Sequence, residues 1–154
     1  MSYWLLKTEP HKFSIDNLKK SGVEPWDGIR NYQARNFMRD SMKIGDGVFI
    51  YHSQVQPVAV VGQGEVASQP YPDPTQFDPR SEYFDPKSRP DAPRWVLVDI
   101  RYVCHFPRPV PLSELKQTPG LEKMVVTQKG SRLSIQPVRA TEWRIVRSLA
   151  GFNP

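Results

Sequence analysis

A chain of 154 residues suits one domain, residues 1–154, with a core that needs no staple. Its single cysteine, Cys104, excludes an internal disulfide framework and points to a reducing compartment. The net charge of +5 permits an anionic partner without requiring one.

Tyr3 to Thr8 is aromatic and β-prone and reads as a first strand. Ser14 is placed to cap a short helix, with Phe13 and Leu18 spaced as a hydrophobic staple and Gly22 as its stop. Asn31 caps a second helix, in which Ala34, Phe37, Met38 and Met42 share a face before the Gly45-Asp46-Gly47 turn. Val48 to His52 and Val58 to Val66 read as strands, and Gly62 and Gly64 mark a bulge or bend that curls the sheet. Residues 68–94 carry seven prolines interleaved with Tyr71, Phe77, Tyr83 and Phe84, a packed surface loop. Trp95 to Val103 alternates as a strand with one dry side, and Pro107, Pro109 and Pro111 break the chain before a helix at 112–116. Met124 to Thr127 reads as a short strand and Ser131 to Val138 as another. Thr141 caps a last helix with Ile145, Val146 and Leu149 inward. Trp4 and Cys104 are expected in the core, and Trp143 in helix packing. Five or more strands with short helices imply an α+β fold around a mixed, closed sheet.

No apolar run reaches membrane-spanning length, and Met1 to Lys7 lacks the pattern of a signal peptide. A soluble, intracellular protein without membrane association is expected, cytoplasmic or, in a eukaryote, nuclear. The oligomeric state is open, with a monomer the default.

Trp26, Asp27, Arg30, Asn31 and Tyr32 are unusually polar and aromatic for a connection. With Tyr51, His52 and Ser53 at a strand end, they combine a π-face, a forked cation, an amide and an imidazole, the groups that hold and read a flat heterocycle. Each has a plain alternative: Trp26 in the core, Arg30 paired with Asp27, Asn31 as a cap, His52 as a structural residue. Residues 1–100 hold 12 Lys+Arg and 13 Asp+Glu, whereas residues 101–154 hold nine and three, so the basic excess is confined to the last third. Such a face attracts phosphates.

Five blocks then resemble the EVE domain: Tyr-Trp-Leu-Leu-Lys-Thr-Glu-Pro (3–10), Trp-Asp-Gly-Ile-Arg-Asn-Tyr-Gln-Ala-Arg-Asn-Phe (26–37), Gly-Asp followed by Tyr-His-Ser (45–53), Tyr-Pro-Asp-Pro-Thr (71–75) and Arg-Leu-Ser-Ile-Gln-Pro-Val (132–138). The resemblance implies a PUA-like mixed β-barrel flanked by short helices, akin to YTH and ASCH domains. It implies a nucleic-acid-binding module that captures a modified base of DNA or RNA at the barrel mouth. The base-binding candidates it carries over are Trp26, Arg30, Asn31, Tyr51, His52, Ser53, Arg132, Leu133 and Ser134, with Lys7, Thr8 and Trp95 beside them. Arg35, Lys129 and Arg132 are the expected phosphate contacts.

An enzyme is not expected. Three scattered histidines and one cysteine do not form a zinc site, and neither cofactor nor metal is called for. Gly62-Gln63-Gly64 lacks the third glycine of a dinucleotide fingerprint, Lys129-Gly130-Ser131 inverts a phosphate loop, and no Gly-x-Ser-x-Gly elbow occurs. His52 and Ser53, adjacent in a strand, point to opposite faces. An enzyme or receptor for a free nucleotide-like ligand in the same pocket is the alternative, as is a partner surface on the loop at 70–93.

Overall fold

Alternation in two neighbouring strands decides the architecture. In the computed structural model, which describes residues 1–152, Trp4 and Leu6 of β1 (Tyr3–Thr8) face one core and Leu5 faces a second. α1 (Ile15–Ser21) is capped as its sequence predicts, with the Ser14 hydroxyl accepting the Asn17 N–H and Gly22 ending it. β2 (Val23–Pro25) leads through the Trp26 turn to α2 (Tyr32–Asn36), capped by Asn31, which runs on as one π-helical turn over Phe37–Ser41. β3 (Gly47–His52) repeats the two-sided pattern: Val48 and Ile50 join the first core, Phe49 and Tyr51 the second. β4 (Ala59–Val66) follows, with register shifts against its neighbours beside Gly62 and Gly64.

The proline-rich stretch is ordered. It holds β5 (Tyr71–Pro72), a 3-10 turn at Pro74–Phe77 and a series of tight turns before β6 (Val96–Leu97), with which β5 pairs. The remaining elements are β7 (Asp99–Pro111), α3 (Leu112–Gln117), β8 (Ile135–Val138) and α4 (Ala140–Leu149). The main sheet runs β2-β7-β4-β3-β1-β8, with β1 and β3 parallel and the other pairs antiparallel. It curls into a PUA-like half-barrel, left unpaired between β2 and β8 among the described residues, where a closed sheet was expected. Helices α1 and α2 cover the first core, α3 and α4 the second, which is why the central strands are apolar on both sides.

Several expectations are corrected. Pro107 and Pro109 lie inside β7, tolerated because β4 pairs with His105 and Val110 but skips the residues between, leaving no ladder bond for proline to break. The strand expected from Trp95 breaks at Val98, and the proline-rich loop covers Trp95 and Leu97, so its second side is buried too. Val125–Thr127 is a 3-10 turn, held by the Thr127 hydroxyl donating to the carbonyls of Met124 and Leu121. Only Ile135–Val138 of the expected last strand pairs with β1. α4 begins before Thr141, with the Glu142 carboxylate accepting the Arg139 N–H at 2.9 Å. Cys104 is half-buried.

Candidate functional site

Because β1 and β3 are parallel, their C-terminal ends emerge at one edge of the sheet, where Lys7 and Thr8 lie beside Tyr51 and His52 in register. The antiparallel β8 starts at that edge, so the segment before it arrives there as well. The Lys7 N–H donates to the Ser134 carbonyl at 2.9 Å, and the Ser53 N–H to the Thr8 carbonyl at 3.0 Å. Gln136, buried, ties the loop by donating to the Leu133 carbonyl at 2.8 Å and to the Ser131 hydroxyl at 3.3 Å.

The facing wall comes from the Trp26 turn. The Trp26 N–H donates to the Val98 carbonyl at 3.0 Å, and Gly28 turns the chain at φ +80°. A Cβ on Gly28 would lie 2.6 Å from the Tyr83 ring, so only glycine lets the proline-rich loop close down on this turn. Arg30 and Asp73 fasten it. Buried Asp73 accepts the Gly28 N–H at 2.9 Å, the Arg30 guanidinium at 3.1 Å, and the Thr75 N–H and hydroxyl at 2.8 and 2.6 Å. Arg30 also donates to the Tyr83 carbonyl at 2.8 and 3.0 Å and to Thr75.

Between these walls is a cleft of about 1080 Å³, at the upper end of ligand pockets. Lys7, Thr8, Trp26, Ser53, Arg132 and Ser134 line it, with Phe13, Asp27, Ile29 and Tyr83. Trp26 is 6 % exposed: packed edge-to-face on Phe13 at 5.8 Å, it is both core and wall and offers a strip of its indole. Gln54, also on the rim, is the one non-glycine residue among those described with a positive φ, +57°.

The other candidates are not among the cleft-lining residues. Period-two alternation sends Tyr51 into the second core and turns His52 toward α1, where its Nε2 accepts the Ile15 N–H at 3.1 Å. Asn31 caps α2 through the Ala34 N–H at 3.0 Å. Arg30, carried over as a base-binding candidate with pairing to Asp27 as its plain alternative, instead pairs with Asp73. Leu133 packs on the first core. Trp95 is buried, donates to the Asp85 carboxylate at 2.8 Å and stacks on Tyr32 at 4.7 Å. Arg35 donates to Asn36 and to the Arg94 carbonyl, while Lys129 is exposed. Sequence reasoning missed Phe13 and Tyr83 as cleft residues, and noted Asp27 in the polar turn without making it a base-binding candidate; for Tyr83 the one available signal was the density of aromatics in the proline-rich loop.

The cleft is polarised. Lys7, its ammonium donating to the Ser131 carbonyl at 3.2 Å, and Arg132 mark one side. Burial lowers the Lys7 pKa from its ordinary value. Glu9 and Glu82 share Lys12, at 3.5 and 3.9 Å, on the other. Asp27, exposed at the rim, is raised from its ordinary value by partial desolvation, then by the charges of Asp73 and Glu24, against the pull of Arg30 and of its own N–H. Asp73 goes the other way: burial would raise it, but donors from Thr75, Gly28 and Arg30 outweigh that and hold it low. Among the described residues no group of three or more His, Cys, Asp or Glu is arranged to hold a metal ion, and no helix is long and apolar enough to cross a membrane.

Residues 2–149 match the family model described as the EVE domain. The chain belongs to the EVE family. It is 40 % identical to human thymocyte nuclear protein 1 over 171 residues, which cover 99 % of this chain and 76 % of that protein. The human protein's structure in complex with 5-methylcytosine-containing DNA superposes with a TM-score of 0.92 at 39 % identity, covering 100 % of both chains. A Pseudomonas syringae structure gives the same TM-score at 44 % identity, covering 96 % of this EVE domain and 99 % of the other chain. An ASCH protein of Zymomonas mobilis, 15 % identical, shares the fold at a TM-score of 0.57, over 97 % of this chain and 99 % of its own.

Proposed function

We propose that this EVE domain is a nucleic-acid-binding module that takes one base, a modified one, from a DNA or RNA strand into the cleft. The observation that carries the reading is convergence: Lys7 and Thr8, the turn at 26–29, Ser53, Tyr83 and Ser131, Arg132 and Ser134, distant along the chain, line one opening. The human relative's complex with 5-methylcytosine-containing DNA supports the same partner class.

In this reading the base lies against Trp26 and Tyr83, a contact worth roughly 1–3 kcal/mol by stacking. Ser53 and Ser134 offer hydroxyls to its edge, and Lys7, Arg132 and Lys129 meet phosphates. A methyl substituent adds roughly 0.8 kcal/mol of apolar burial. Extruding a base from a duplex costs a few kcal/mol, so single strands bind more tightly. The module binds without catalysis, as a monomer, in the cytoplasm or nucleus where nucleic acid is found.

A salt series on binding of a short single strand carrying 5-methylcytosine tests it. Log affinity should fall with log salt by about 0.7 per phosphate neutralised, and Arg132→Ala and Lys129→Ala should each remove about one phosphate's share. A salt-independent affinity, equalled by the free nucleoside, would favour a receptor for a small ligand instead.

A further inference from the structure

Resting on that reading, the geometry points to Asp27 as the group that reads the edge of the base, accepting a hydrogen bond from an exocyclic amino group. The cleft then admits amino-bearing bases and turns away their oxo counterparts, thymine and uracil. The argument starts from Arg30, the neighbour suited to neutralise Asp27. Its guanidinium is committed to Asp73, Thr75 and the carbonyls of Ile29 and Tyr83. Lys12 is shared by Glu9 and Glu82. Among the described residues no side chain donates to the Asp27 carboxylate, which is met only by the residue's own N–H, itself bonded to the Pro25 carbonyl at 3.0 Å.

Asp27 therefore stands exposed at the cleft without a salt-bridge partner, next in chain to the Trp26 wall, feeling the charges of Asp73 and Glu24 against the more distant pull of Arg30. A carboxylate so placed gains from any N–H that a ligand brings, because a bound base would displace its water. Cytosine offers its N4 amine at that edge, the donor that Asp and Glu accept from in direct readout. Thymine carries a carbonyl oxygen at the same ring position, and its lone pairs would face the carboxylate. The two bases 5-methylcytosine and thymine share the C5 methyl but differ at both C4 and N3, which carries a proton only in thymine, so a base that keeps the unprotonated N3 and lacks the amine is needed to isolate the amine.

Equilibrium binding of single strands with 5-methylcytosine or thymine at one central position, to wild type, Asp27→Asn and Glu24→Gln, decides the matter. Wild type should prefer 5-methylcytosine by roughly tenfold or more, the usual effect of a hydrogen bond to a charged group. Asp27→Asn, whose amide both donates and accepts, should bring the ratio near one. A third strand carrying 5-methyl-2-pyrimidinone, which lacks the amine, should bind wild type as weakly as thymine does. Equal affinity of wild type for all three strands would overturn the role of Asp27 and leave base binding standing, even if Asp27→Asn fails to fold. A ratio kept by Asp27→Asn but lost in Glu24→Gln would overturn it too. No binding of any strand would instead overturn the underlying reading.

Discussion

The Arg30 guanidinium donates to the Asp73 carboxylate at 3.1 Å across 43 positions of sequence, and Asp73 is wholly buried. That contact joins the tryptophan-bearing turn to the proline-rich loop, so the loop is a wall of the cleft. The possibility that the loop at 70–93 serves a separate partner is thereby tied to the cleft: removing the loop removes Tyr83 and Glu82 as well.

Removing either member leaves an uncompensated buried partner. Arg30→Ala or Asp73→Ala should each lower unfolding free energy by about 3–5 kcal/mol in urea titrations, and the double variant should cost less than the sum. Arg30→Lys should not restore it, since an ammonium lacks the fork that reaches Asp73, Thr75 and the Tyr83 carbonyl together. The pH dependence follows in sign. Asp73 is held below its ordinary value, so its contribution is complete above about pH 4 and is lost as pH falls further. Asp73→Asn should flatten that acid limb.

His52 makes a second pH window. Burial lowers its pKa, opposed by Asp16 and assisted by the positive charge His105 can carry, and its Nε2 must be unprotonated to accept the Ile15 N–H. A depressed histidine stabilises the fold above its unfolded value of about 6.5, and that contribution falls away as pH drops below it. His52→Ala should cost about 1 kcal/mol at pH 8 and progressively less below pH 6.5, as read by chemical denaturation at each pH.

Gly28→Ala should act on both stability and binding. Its φ of +80° disfavours any side chain, and the added methyl would push the Tyr83 ring out of the cleft wall. A loss of roughly 1–3 kcal/mol is expected in thermal unfolding, with weaker oligonucleotide binding alongside. Gly45→Ala is the control: its φ is +92° but nothing lies within 4 Å of a Cβ there, so it should share the backbone cost and keep the affinity.

Local rules made much of this molecule legible before its fold. Ser14, Gly22 and Asn31 cap or stop helices because capping is decided within three or four residues. The strands from Tyr3 and Gly47 were readable from their apolar content, and parallel pairing then delivered Lys7, Thr8 and Ser53 to one edge. What stayed hidden depends on distant partners. Nothing near Arg30 announces Asp73, so Arg30 read as a base ligand or, at its plainest, a partner of Asp27. Tyr51 and His52 flank the right position, but strand alternation turns one to the second core and the other to α1, leaving Ser53 at the mouth. Pro107 and Pro109 looked like breakers because the gap in ladder pairing that shelters them is set by β4, some forty residues earlier in the chain.

The central claim is that a base enters beside Trp26. Four tryptophans allow it to be watched directly through their indole N–H resonances during titration with a 5-methylcytosine-containing single strand. Trp4, hydrogen-bonded to Asp46, and Trp143, stacked on Phe49 in the second core, are internal references. The account predicts a large saturable shift of the Trp26 signal with those two unmoved; saturable binding that leaves Trp26 unshifted would contradict it.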